Sequence, residues 1–149
     1  MNSRAMIDQR FTTPAPAVRV TAEDMARLRT IVERHLEGSR AAAAEQLELE
    51  LDRAVVVSQD QIPPDVVTMR SRILFEDLDT GRRREATLVY PDEANIDQSM
   101  VSILAPVGQA VLGLKVGDVI EWPLPNARLA RLRIMEVLYQ PEAAGDLHL

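Results

Sequence analysis

Two consecutive prolines, Pro63 and Pro64, divide this chain into parts that cannot share one secondary-structure element. Neither has a backbone N–H to donate, each fixes its own φ, and each pushes the preceding residue into an extended conformation, so no helix runs through them. Before them, apolar residues recur at helical spacing. Thr21, with Glu23 and Asp24 just after it, predicts a helix N-cap and an acidic first turn. Met25, Leu28, Ile31 or Val32, and Leu36 then form one stripe. Gly38 and Ser39 predict a stop, and Arg40 to Val57 predicts a second helix with Ala44, Leu47, Leu51 and Ala54 on one face. At ~1.5 Å per residue that second helix would be about 27 Å long. Helices joined this closely pack antiparallel.

After the prolines the period changes. Val67, Met69, Ile73 and Phe75 alternate with Thr68, Arg70, Arg72 and Glu76, the pattern of a half-buried strand. Asp79-Thr80-Gly81 predicts a hairpin turn, with Ala86 to Tyr90 as the returning strand. A polar loop, 91–98, precedes a strand at Val101 to Leu104, a short helix at Val107 to Leu112, a Gly117-Asp118 turn and a strand at Val119 to Trp122. The last strand, Arg128 to Tyr139, has an ambiguous apolar face. Leu132 and Ile134 share one parity, Met135, Val137 and Tyr139 the other, and a bulge between them reconciles both. The expected class is α+β.

The composition bounds what this fold can do. The aromatic fraction is 3% of 149 residues, so the core must be aliphatic, with Phe11, Phe75, Tyr90, Trp122 and Tyr139 as its few large anchors. A formal charge of -6 disfavours non-specific nucleic-acid binding. The absence of cysteine excludes thiol nucleophiles and Cys-ligated metals, and suits a reducing compartment. Asp8, Gln9 and Arg10 interrupt what would have to be apolar in a secretory signal, and no apolar run approaches membrane-spanning length, so a cytoplasmic location without membrane association is expected. Pro14 and Pro16 mark residues 1–17 as a mobile tail.

Candidate catalytic groups are sparse. Two histidines, His35 and His148, support neither a Ser-His-Asp triad nor a multi-histidine metal site. Glycines 108, 113 and 117 are too far apart for a dinucleotide loop. Arg82-Arg83-Arg84 reads as a solvated turn, with contact to an acidic protein surface or to nucleic acid as alternatives. No general acid or base, cofactor site or metal site is assigned, and the chain is expected to be no enzyme.

Three separated stretches carry a resemblance: IPPDVVTMRSR (Ile62 to Arg72), MVSILAPVGQAVLGLKVGD (Met100 to Asp118) and YQPEAAGDL (Tyr139 to Leu147). They resemble the Gre family, bacterial proteins that bind RNA polymerase, and within it the Rnk branch, regulators of nucleoside diphosphate kinase. The resemblance implies a helical hairpin domain, a short coiled coil, over 18–61, and a Gre-like C-terminal domain over 62–149 with an FKBP-like antiparallel sheet and one short helix. It implies bacterial RNA polymerase as partner, bound near the secondary channel in competition with Gre factors, and a monomer whose effect on the kinase is indirect. In Gre factors an acidic cluster at the coiled-coil tip holds a catalytic magnesium for transcript cleavage. The turn here, Leu36-Glu37-Gly38-Ser39-Arg40, offers one carboxylate, so no cleavage is expected. An Asp-Ser-Pro run that contacts the polymerase in Gre factors corresponds here to Leu104-Ala105-Pro106. The expected contact residues are therefore Glu33, Arg34, Glu37, Arg40 and Pro106. The alternative is a protein that binds a metabolic kinase directly.

Overall fold

The computed structural model describes residues 17–123 and 129–147, so the expected mobile tail lies, except for Ala17, outside the described residues, as do Phe11 and His148. The Thr21 hydroxyl accepts the Asp24 N–H at 3.0 Å, and helix α1 runs Ala22–His35 as its capping predicts. After the exposed turn at Leu36 to Arg40, helix α2 runs Ala41–Asp52. Arg29 of α1 reaches Asp52 at the far end of α2, an ion pair of 2.9 Å, so the two helices lie antiparallel.

The second helix is shorter than its sequence pattern predicts. Val55–Val57 leave it to form strand β2, parallel to an unanticipated strand β1, Arg19–Thr21, with Val20 opposite Val56. Three successive β-branched residues lose side-chain freedom in a helix and suit a strand. The Val55 N–H accordingly donates to the Val18 carbonyl at 2.8 Å instead of to a helical turn.

The main sheet has the order β5-β4-β3-β7-β6, from Met100–Ser102, Arg83–Val89, Arg72–Asp77, Leu129–Tyr139 and Val119–Pro123 respectively. The expectation of an antiparallel sheet is corrected, since β5 runs parallel to β4 and the sheet is mixed. Two 3-10 turns, Pro91–Glu93 and Ile96–Gln98, carry the chain back to the level of Thr87, so it re-enters beside the second half of β4 in the same direction. The expected bulge in β7 is present. Phe75 pairs with Ile134 and Leu74 with Glu136, leaving Met135 unpaired, and so Leu132 and Ile134 are buried while Val137 packs against the core cluster.

The strand expected from Val67 begins instead at Arg72. Val66, Val67, Thr68 and Met69 are all buried, with no alternation, and Arg70 at φ 67° turns the chain before β3. Residues 63–71 form an irregular strap lying between the helices and the sheet. The short helix α3 spans Pro106–Val111, and a second, α4 at Pro141–Ala144, is one more than expected. One hydrophobic cluster joins Leu28, Val32, Leu47 and Leu51 of the hairpin to Val67, Leu88, Ile103, Val111 and Ile134 beyond the prolines.

Gly113 sits where these parts meet. Its N–H donates to the Val67 carbonyl and its own carbonyl accepts from Arg19 N. It has φ +80°, and a Cβ there would lie 2.5 Å from Val18 Cγ1 and 2.8 Å from Arg19 N. Gly113→Ala combines backbone strain with a steric clash. It is expected to lower unfolding free energy by about 2–4 kcal/mol in urea denaturation, and a loss below about 0.5 kcal/mol would contradict this placement.

Candidate functional site

The expected contact residues fall on one end of the molecule. Glu33 and Arg34 are exposed on the last turns of α1, Glu37 and Arg40 are exposed in the hairpin turn, and Pro106 is exposed at the first position of α3. The Gln109 side chain donates from Nε2 to the Ala43 carbonyl at 2.8 Å, tying α3 to the first turn of α2. The hairpin turn and the start of α3 are thereby held on neighbouring elements. The local reason for α3 is steric as well. Pro106 supplies a helical φ without wasting a donor, and a Cβ on Gly108 would collide with the Ser102 carbonyl oxygen of β5. Only a glycine lets the helix lie this close to the strand.

The sequence reading missed the polar groups beneath the hairpin. Asp24 is 5% exposed and accepts the Met69 N–H at 3.1 Å, so the first turn of α1 is bonded directly to the strap. The signal was available: Asp24, Leu28 and Val32 fall four residues apart, on the buried stripe of the helix. On the strap's other side Thr68 donates to Glu142 of α4 at 2.7 Å, and Gln140 Nε2 donates to the carbonyls of Pro63 and Val66, both at 2.8 Å. Burial raises the Asp24 carboxyl to about 6. The Met69 N–H opposes the shift, the Glu142 carboxylate adds to it, and Arg27 and Thr21 oppose it further.

Arg34 also lines a groove of about 460 Å³ along α1, with Arg27, Thr30 and Ile31 on one side and Arg70, Tyr90, Asp92 and Glu93 on the other. Arg70 donates from Nε and Nη2 to one Glu93 oxygen at 3.2 and 2.8 Å, while its guanidinium sits 5.1 Å from the centre of the Tyr90 ring. Burial and the Asp24 charge push the Tyr90 hydroxyl above its usual range, against the Arg27 and Arg70 cations. Tyr90 was expected only as a core anchor. It is one, yet it also lines this polar groove. The Arg82-Arg83-Arg84 triplet is exposed at the far hairpin, away from these groups in the fold order.

Comparison with known proteins places this geometry. Residues 62–139 match the family model for the C-terminal part of the transcription elongation factors GreA and GreB, and residues 16–57 match the Rnk N-terminus. The chain is 50% identical over 103 residues to the regulator of nucleoside diphosphate kinase of Escherichia coli (strain K12), covering 69% of this chain and 76% of that protein. It is 35% identical over 92 residues to transcription elongation factor GreA of Clostridium botulinum (strain Eklund 17B / Type B), covering 62% of this chain and 57% of that protein. A solved structure of a prokaryotic transcription elongation factor GreA/GreB from Nitrosomonas europaea superposes with a TM-score of 0.68 at 42% identity, covering 83% of this chain and 99% of that one.

The buried Asp24 has a consequence for stability. Because its folded pKa of about 6 lies above the ordinary carboxyl value of 3.8, the folded state holds the proton more tightly. The associated stability is full below about pH 4 and is lost as pH rises through 6, a change of about 2–3 kcal/mol. Asp24→Asn keeps an oxygen acceptor for Met69 N–H but cannot titrate. Its stability relative to the unmodified chain is expected to improve by that amount between pH 4 and pH 7.5 in urea denaturation. A difference independent of pH would show that Asp24 is not held in a desolvated site.

Proposed function

We propose, because this chain belongs to the GreA/GreB family of transcription factors and carries the Rnk N-terminus, that it is a non-enzymatic regulator that binds bacterial RNA polymerase near the secondary channel. Its action is occupancy. The region 18–61 enters the channel mouth, the region 62–149 docks on its rim, and Gre factors are kept out. The monomer acts in the cytoplasm, and control of nucleoside diphosphate kinase follows indirectly through transcription.

The observation that supports this reading is a short hairpin whose turn lacks an acidic cluster. At ~1.5 Å per residue, α1 and α2 are about 21 and 18 Å long, and the turn between them has one carboxylate, Glu37, beside Arg40. Magnesium in an active centre needs several hard oxygen ligands held together, and one carboxylate next to a guanidinium does not provide them. A hairpin of this length, held at its first α2 turn by Gln109, blocks an entrance without serving the chemistry behind it. Glu33, Arg34, Glu37, Arg40 and Pro106 supply the contacts. Their polarity fits a transient interface in which charge governs association and partner choice.

Pull-down of purified core polymerase is expected to retain the chain, and excess Gre factor is expected to displace it. Charge reversal at Glu37 and Arg40 together should weaken retention about tenfold without shifting the thermal midpoint, since both are exposed. A backtracked complex supplied with the chain should release no cleavage product. Failure to bind polymerase, or binding that ignores competitor, would reject channel occupancy; transcript cleavage would reject the non-enzymatic reading.

A further inference from the structure

Ile96 is 93% exposed, whereas the next most exposed large hydrophobic among the described residues, Leu49, is 61% exposed. It heads the second 3-10 turn, between β4 and β5, and its neighbours Ala94, Asn95, Asp97, Gln98 and Ser99 are exposed as well. The loop is nevertheless pinned at every step. Asn95 and Met100 exchange backbone hydrogen bonds of 3.0 and 2.9 Å, the Asn95 side-chain oxygen accepts the Asp97 N–H at 3.1 Å, and Ser99 N–H donates to the Ile96 carbonyl at 3.0 Å. The Ser99 carbonyl accepts the Thr87 N–H of β4 at 2.9 Å, and Ser99 itself is held at φ 59°. At the base of the loop one Glu93 oxygen accepts the Tyr90 N–H and the other takes both donors of Arg70. An apolar side chain is thus presented in one place, and a partner does not have to order it on binding.

The surroundings of Ile96 define what it can meet. β5 is the edge strand of the main sheet, but Met100 spends its N–H and carbonyl on Asn95, and the Ser102 carbonyl accepts the Ala105 N–H at 3.0 Å. The edge is therefore closed to an added strand and offers side chains instead. The three residues of β5 span about 7 Å. Ile96 lies at the start of this strand, and Pro106, one of the proposed polymerase contacts, lies four residues beyond its end. Residues 91–99 contain three carboxylates and no lysine or arginine. Glu93 is taken up by Arg70, Asp92 lines the groove beside Arg34, and Asp97 is exposed next to Ile96. A carboxylate in that position repels phosphate and favours a protein surface with a basic group beside an apolar pocket.

We propose that Ile96 is the apolar anchor by which the region 62–149 docks on RNA polymerase, entering an apolar pocket that carries a basic side chain opposite Asp97. The anchor rests on the polymerase-binding reading above and supplies what its polar contacts lack. Buried apolar residues at the centre of an interface hold most of its affinity, while charges at the rim set its association rate.

Titration of immobilised core polymerase with the full chain tests this. Ile96→Ala is expected to weaken binding at least tenfold, Ile96→Asp to weaken it further, and Ile96→Leu to stay within about threefold of the unmodified chain. The thermal midpoints should not move, because the side chain touches so little of its own protein. The Ile96→Ala loss should be equal at about 0.05 and 0.3 M salt, whereas Asp97→Lys should weaken binding at least threefold at the lower salt and much less at the higher. Unmodified affinity in Ile96→Ala or Ile96→Asp overturns the anchor while leaving polymerase binding in place, and absence of binding by the unmodified chain overturns both. A lowered thermal midpoint in Ile96→Ala, or a loss that vanishes at high salt, also overturns the anchor. Unchanged binding by Asp97→Lys overturns the basic rim of the pocket.

Discussion

The structure depends on the strap at residues 63–71 having its backbone satisfied from every side. A segment that is neither helix nor strand cannot bond to itself, and where it is buried, as at Val66 to Met69 and Ser71, each unpaired N–H or carbonyl would carry a desolvation cost. Val67 exchanges hydrogen bonds with Leu114 and Gly113, and Arg70 N–H and Ser71 carbonyl bond to the carbonyl and N–H of Leu88. Asp24 takes the Met69 N–H, the Ser71 hydroxyl takes the Thr68 N–H, and Gln140 bonds to the carbonyls of Pro63 and Val66. The helical hairpin, the main sheet, the loop after α3 and the C-terminal helix are joined through this one segment.

This explains why three stretches distant in sequence carry the family resemblance together. The stretch from Ile62 is the strap itself, the stretch ending at Asp118 provides Gly113 and Leu114, and the stretch from Tyr139 provides Gln140 and Glu142. Their residue types follow from the bonds they make. Gln140 caps α4 with its oxygen and serves the strap with its nitrogen, which an aspartate or a serine could not do at once. Tyr139 and Asp146 close the same corner through a short hydrogen bond that raises the tyrosine pKa.

Seating the hairpin on the strap also determines which of its faces remain available. The stripe of Leu28 and Val32 is consumed by the core, so the exposed charges of α1 face outward or into the groove beside Tyr90. The turn at Leu36 to Arg40 stays exposed at one end, next to α3, while the β1–β2 ladder ties the opposite ends of the two helices together. A hairpin held at both ends presents its charges in a defined place, and an interface gains from not having to order them on binding.

Local sequence rules were sufficient for the elements governed by local physics. Thr21 as cap, the proline break, the Asp79-Thr80-Gly81 turn between β3 and β4, the short helix from Pro106 and the bulge at Met135 all follow from residue chemistry within a few positions. The aliphatic core and the α+β class follow from periodicity. What the tertiary structure alone decided involves partners remote in the chain. Val55–Val57 are a strand because Val18 to Thr21 lie beside them, β5 is parallel because of the path taken by residues 90–99, and Val66 to Met69 abandon alternation because both of their faces are covered. Asp24 becomes a buried ligand of the strap, and Arg27, Arg34, Arg70 and Tyr90 become one groove, only when residues about 40 to 70 positions apart are brought together. Hydrophobic spacing records which side of an element is buried, but not what buries it.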